Sequence, residues 1–271
     1  MTAFDAEQRL GDLEVTLDLD VLIGTFPDRD GPDGTPGAVL AALAGHRIAT
    51  GAVASLRGAL YDMTSGNDEV LAQAKEPEGG NGGGGGGGAN GGDGGGGAAS
   101  MLPVGALDLR DPIGAAAEME RLAAASVRAV RLFPDEQKVE AGFPAVRHVA
   151  RRAAALGLTV LTGGDVRRFW APFSGLGARV VFLDTHFYHL GDFLVAAAGE
   201  PGFHTSTRLL NSPDALETAA SAIGADRLVF GSRTPHAEPL VPLLRLATSG
   251  LGPADRAAVA GGNARRLLEA S

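Results

Sequence analysis

The sequence predicts a (β/α)8 TIM barrel in a single domain, residues 1–271, on three observations. Eight short apolar runs recur along the chain, each followed by a segment with helical patterning. The runs are continuous rather than alternating, as in strands buried on both faces of a parallel sheet. The chain of 271 residues has the length that eight such units need. A doubly wound open sheet is the alternative, but its Gly-x-Gly-x-x-Gly phosphate turn is missing from LIGTFPDRDG after the first run.

Each element follows from local chemistry. The run 19–26 predicts strand one, and 35–46, with Pro36 in the first turn, its helix. Strand two falls at 47–56, followed by a helix over 65–76 opened by Ser, Asn and Asp. MLPVGALDL predicts strand three, and 111–125, with an Asp cap and Pro112, its helix. VRAVRLF is strand four, and 143–157 a helix closed by Gly157. LTVLTGG with DVRRFWAPFSGLG, RVVFLDT with YHLGDFLVAAAG, and GFHTSTR with SPDALETAASAIG repeat the unit. The eighth strand is 226–232, and the chain closes with AEPLVPLLRLATSG and one last helix, GPADRAAVAGGNARRLLEA.

Residues 79–97 stand apart, with 15 glycines in 19 positions. Such a run has nothing to bury and a maximal ordering entropy, so it predicts a flexible loop or linker within the domain. A phosphate cradle is the alternative, but no Gly-Lys-Ser/Thr follows.

Composition excludes several classes of function. A net charge of −9 without a basic stretch argues against nucleic acid. The absence of cysteine removes disulfides and thiolate ligands. No apolar stretch approaches a membrane span, and the acidic N-terminal residues lack a signal-peptide pattern. The expectation is a cytoplasmic protein whose partner is a small molecule; a homo-oligomer stays open.

In a barrel of this kind the active face is the C-terminal end of the strands. The residues delivered there are Thr25 from strand one, Tyr61 after strand two, Arg131 from strand four and Asp165 after strand five. Asp184, His186 and His189 follow strand six, Ser206 and Arg208 come from strand seven, and Arg233 and His236 follow strand eight. Arginines beside acids and histidines suit a carboxylate-bearing small molecule. His186 with Asp184 or Asp165 is the candidate acid–base pair, and Arg233, Arg131, Tyr61, Thr25 and His236 are candidate substrate-binding residues. His186 and His189 could instead cap a helix start and pack on Phe187 and Tyr188.

The passages SLRGALYDMTSGNDEVL, LPVGALDLRDP, VRAVRLFP, GLTVLTGG, VVFLDTHFYH, DRLVFGSRTPH and GGNARRLL resemble, in order and spacing, the amidohydrolase-related family. The resemblance covers nearly the whole chain outside the glycine run. It implies a (β/α)8 fold, hydrolase, lactonase or decarboxylase activity, and one or two divalent metals such as zinc at the barrel mouth. The ligand pattern it implies is mostly missing. Gly24, Thr25 and Phe26 stand where His-x-His is expected, Thr162 where strand five carries a histidine, and Arg233 where strand eight carries the metal-binding aspartate. Only His186 could match. The expectation is therefore no cofactor and no metal ligands, because a guanidinium has donors only and repels a cation.

Arg233 is the pivotal residue. It either clamps a ligand carboxylate in the metal's stead or pairs structurally with Asp165 or Asp184. Two functions follow: hydrolysis or a related lyase step on a small anionic molecule, or a non-catalytic barrel that binds a ligand or partner. Shortening 79–97 to a connection that still spans the gap is expected to change unfolding free energy by less than about 1 kcal/mol. A loss above about 2 kcal/mol in chemical denaturation would show a packed segment.

Overall fold

A computed structural model describes residues 6–74 and 98–269. The glycine run at 79–97 lies outside the described residues.

The strands are β1 (Asp18–Ile23), β2 (Thr50–Ser55), β3 (Ser100–Pro103), β4 (Gly105–Leu107), β5 (Ala129–Leu132), β6 (Thr159–Thr162), β7 (Val180–Phe182), β8 (Phe203–Ser206) and β9 (Leu228–Val229). All neighbours pair in parallel, β1 to β3 in one run and β4 to β9 in another. β3 and β4 form one stave broken at Val104, so the barrel has the predicted eight. Leu19 N donates to Phe230 O at 3.0 Å and Leu22 N to Thr234 O at 2.9 Å, which closes the seam between β9 and β1.

The break at Val104 follows Pro103, which has no N–H for the ladder. Two buried amide side chains take over. Asn67 accepts from Ala106 N at 2.7 Å and donates to Ala106 O and Glu118 Oε1. Gln137 accepts from Leu109 N and donates to Leu107 O and Ala59 O. These contacts tie helix Met63–Gln73 and the turn Pro134–Gln137 to the outer ends of the staves.

Two apolar clusters divide the core. The inner one fills the barrel with Leu19, Ala52, Ala54, Ala106, Ala129, Leu161, Val181, Leu183 and Val229. The outer one, including Val21, Ile23, Val53, Val130, Val160, Phe182 and Phe230, lies between strands and helices. Alanines on four inward positions leave volume for a long polar side chain among them.

Two predicted helices differ in form, and one helix is added. Segment 165–177 is a short helix, Val166–Phe169, followed by the 3-10 turn Ala171–Phe173, because Pro172 cannot continue the hydrogen-bond ladder. Ser55 caps an additional helix, Leu56–Leu60, by accepting from Gly58 N. The last helix is split by a π-type segment, Ala258–Gly262. Gly261 has φ 153° and passes so close to Thr16 that a Cβ would lie 2.1 Å from its Oγ1. That approach lets Ala260 O accept from Thr16 N and Val259 O accept from Phe230 N, bracing the seam from below. No helix among the described residues is long and apolar enough to cross a membrane.

Asn67→Ala removes three buried hydrogen bonds and strands Ala106 N–H. It is expected to cost about 2–3 kcal/mol, read as a lower denaturant midpoint.

Candidate anion-binding site

The centre of the site is Asp20, which is fully buried within β1. A bulge places it there. Asp18 pairs with Gly51 and Val21 with Val53, so β1 carries one residue more than β2 over this stretch. The extra residue lets Asp20 join Leu19 at the barrel interior, while Val21 and Ile23 return to the outer core.

Three guanidiniums from three staves meet this carboxylate. Arg131, on β5 and itself 3% exposed, places Nη1 2.6 Å from Asp20 Oδ1. Arg208, just beyond β8, and Arg233, beyond β9, each place Nε 3.5 Å from Asp20 Oδ2. Arg233 has φ 65°, a left-handed conformation, and its N–H donates to Asp20 O at 2.6 Å. The backbone is thus turned so that the side chain folds back over the barrel.

A second carboxylate closes the cluster from outside. Asp184 Oδ1 accepts from Arg208 and, at 2.8 Å, from Arg233 Nη2. Its Oδ2 accepts from Gly164 N at 3.1 Å. Three cations face two anions in direct contact, so one positive charge is in excess; Glu136, half-buried, is a third acid farther from Arg233. Nε of all three arginines and Nη1 of Arg131 lack an aligned hydrogen-bond acceptor, since their approach to Asp20 is by charge rather than by direction.

The fields are strong because Asp20 and Arg131 are buried. Burial alone would raise the Asp20 carboxyl, but Arg131, Arg233 and Arg208 together hold it below the usual range. Burial would likewise lower Arg233, but Asp20 and Asp184 hold it above its ordinary value. Asp18, two residues upstream, has no such cations. Burial pushes its carboxyl up to about 7, against hydrogen bonds from Ser232 and Asp20 N that favour the ionised form. Asp18 Oδ1 accepts from Asp20 N and Ser232 N, and Oδ2 meets Ser232 Oγ, which lies 2.6 Å from Thr234 Oγ1. Asp18 therefore braces the loop that carries Arg233.

The residues expected at the mouth fall into separate groups. Arg131, Asp184 and Arg233 come together. The pairing of Arg233 with Asp184 is present, whereas Asp165 instead caps helix Val166–Phe169 and pairs with Arg167. The acid–base pair of His186 with Asp184 or Asp165 is not formed among the described residues. His186 caps a 3-10 turn, its Nδ1 accepting from Tyr188 N, and its ring stacks on Tyr188. Thr25 and Tyr61 line a neighbouring cavity of about 370 Å³ with Gly24, Arg57 and Glu69. His236 packs edge-on against Phe26 and meets Gly24 O through Nε2. Burial, together with Arg29, Arg131 and Arg233, lowers its pKa against the pull of Gly24 O.

Asp20 was missed as a site residue, and Arg208, though delivered to the mouth by strand seven, was not among the candidate substrate-binding residues. A signal for Asp20 exists: LDLDVLI places two aspartates in an otherwise apolar strand, and a buried carboxylate demands a partner.

Residues 164–270 match the family model described as amidohydrolase, in line with the resemblance read from the sequence. No curated protein sequence matches the chain. Among solved structures, a 2,6-dihydroxybenzoate decarboxylase from Rhizobium is 15% identical, with a TM-score of 0.69 over 95% of this chain and 99% of that one. A dihydroxybenzoic acid decarboxylase from Polaromonas, with bound manganese and 2-nitroresorcinol, is 14% identical, with a TM-score of 0.68 over 95% and 97%. A 5-carboxyvanillate decarboxylase from Novosphingobium aromaticivorans, also with bound manganese, is 10% identical, with a TM-score of 0.63 over 94% and 97%. The chain shares their (β/α)8 fold.

The two manganese-bound structures correct the expectation of no cofactor: metal belongs to the repertoire of this fold. The residues gathered around Asp20 are nevertheless a poor match to a divalent ion. Both acids of the cluster face guanidiniums, and no group of three metal-ligating side chains converges among the described residues.

Asp18 gives a pH signature. Its folded pKa, about 7, lies above the ordinary 3.8, so the native state holds a proton that the unfolded chain has released. Stability therefore declines as pH rises from about 4 to about 7, and the loss is complete above that window. Asp18→Asn keeps both accepted N–H bonds and is expected to flatten this decline in urea titrations at several pH values. A wild-type minus variant difference that is constant with pH would refute the assignment.

Proposed function

We propose that this amidohydrolase-like barrel binds a small carboxylate-bearing molecule at the Arg208–Arg233 edge of the cluster and acts on it by a lyase-type step. One observation carries the reading: three arginines meet two acids in direct contact, which leaves a positive charge in excess at the C-terminal end of the strands. A guanidinium presents two parallel donors to a carboxylate, and the low dielectric of the barrel strengthens that contact.

The carboxylates processed by decarboxylases of the same fold support this class of substrate. Loss of carbon dioxide leaves an electron pair on carbon that must take up a proton. His186, half-buried beside Asp184 in sequence with no partner on Nε2 among the described residues, is the proposed donor. Arg233 orients the carboxylate, and Arg131 with Asp20 fixes the clamp from beneath. A non-catalytic barrel would use the same clamp and return its ligand unchanged.

Two measurements decide. Arg233→Ala orphans neither acid, because Asp20 retains Arg131 and Arg208 and Asp184 retains Arg208. The fold is expected to survive, while calorimetric binding of 2,6-dihydroxybenzoate weakens by about 2–3 kcal/mol. Arg233→Lys recovers part of that loss. Unchanged affinity in the alanine variant would defeat the clamp. Incubation with 2,6-dihydroxybenzoate and 5-carboxyvanillate, with and without manganese, is expected to release carbon dioxide in a manner that His186→Ala abolishes. Binding without release would favour the non-catalytic barrel.

A further inference from the structure

Asp20 and Asp184 do different work in the cluster. Asp20 has no exposure and its charge is enclosed by all three arginines. Asp184 and Arg233 are each 20% exposed, and Asp184 meets the guanidiniums from the solvent side. One oxygen, Oδ1, receives both Arg208 and Arg233, the two-guanidinium contact that a ligand carboxylate arriving from the mouth would make.

The other oxygen is held by backbone. Gly164 N donates to Oδ2, and Gly163 leaves the space: a Cβ there would stand 3.0 Å from Asp184 Oδ2. Gly163 does not have the positive φ of Gly164, so an alanine can adopt its backbone. A carboxylate is therefore parked on the ligand's contacts, at a side of the cluster that reaches solvent.

We infer that Asp184 is a built-in competitor, a protein carboxylate that occupies the Arg208–Arg233 clamp and must be displaced by the ligand's own carboxylate. The inference rests on the anion-binding reading above. It turns Asp184 from a presumed acid–base partner into the residue that sets affinity and selects ligands. A neutral or weakly accepting group cannot replace an ionised carboxylate on two guanidiniums, so only a true anion displaces it. A clamp that is free for a fraction of the time binds with an affinity reduced by that fraction, and an internal carboxylate present nine-tenths of the time weakens binding about tenfold.

The experiment uses the full chain, benzoate as the anionic probe, benzamide as its neutral counterpart, and calorimetry at low ionic strength. Asp184→Asn keeps the shape and one acceptor but removes the charge. Gly163→Ala keeps every charge and crowds Asp184 out of its cradle. Both are expected to bind benzoate about tenfold more tightly than the unmodified protein, with benzamide unbound by all three. Asp184→Ala opens the place itself, and added formate is expected to raise its melting temperature more than that of the unmodified protein.

Weaker benzoate binding in both Asp184→Asn and Gly163→Ala would overturn the inference, since Asp184 would then hold the arginines in their binding posture; the clamp would stand. Binding unchanged in both would overturn it as well. No benzoate binding by any of these folded proteins, with no formate effect on Asp184→Ala, would remove the anion site itself and the inference with it.

Discussion

A carboxylate buried inside a barrel has to be neutralised, and the structure around Asp20 is organised by that requirement. Its desolvation cost is several kcal/mol unless cations stand close by. Three staves each supply one: Arg131 from β5, Arg208 beyond β8 and Arg233 beyond β9. β8 and β9 are adjacent and β5 lies three staves away from β8, so the charge contact joins separate parts of the barrel wall. Burying three guanidiniums in turn calls for further negative charge, which Asp184 supplies from the mouth. Each acid has more than one cation beside it, so the cluster shares its charge rather than resting on a single pair.

The apolar interior makes that arrangement possible. Small residues at Ala52, Ala54, Ala106 and Ala129 leave room for the Arg131 side chain, while leucine and valine on the opposite staves exclude water. The bulge in β1 aims Asp20 inward, and the left-handed turn at Arg233 aims its side chain back over the strands. Asp18 and Ser232 hold the two backbones together at that turn. The polar cluster is thus built from backbone irregularities, each braced by a hydrogen bond.

The same barrel geometry carries manganese in decarboxylases from Polaromonas and Novosphingobium aromaticivorans. In this chain arginine side chains bring positive charge to the mouth. A metal ion accepts lone pairs from its ligands, whereas a guanidinium offers only N–H donors. The two kinds of cation can attract the same carboxylate, but only guanidiniums leave nearby acids hydrogen-bonded as Asp184 is.

The fold was legible because its signals are local. Apolar runs, caps such as Asp111, and prolines at helix starts act within a few residues, and eight repeats of one pattern leave little choice of architecture. The amidohydrolase resemblance and the importance of Arg233 could also be read from the chain. The site could not be assembled that way. Asp20 and Arg233 lie on opposite ends of the sequence and meet only because the barrel closes. A one-residue bulge decides which way Asp20 points, and residue order carries no trace of it. His186 and Asp184 are neighbours in sequence, yet one caps a turn and the other faces the arginines, because loop geometry separates side chains that the chain holds close. Sequence determined which elements form and in what order; long-range closure decided which charges share a buried space.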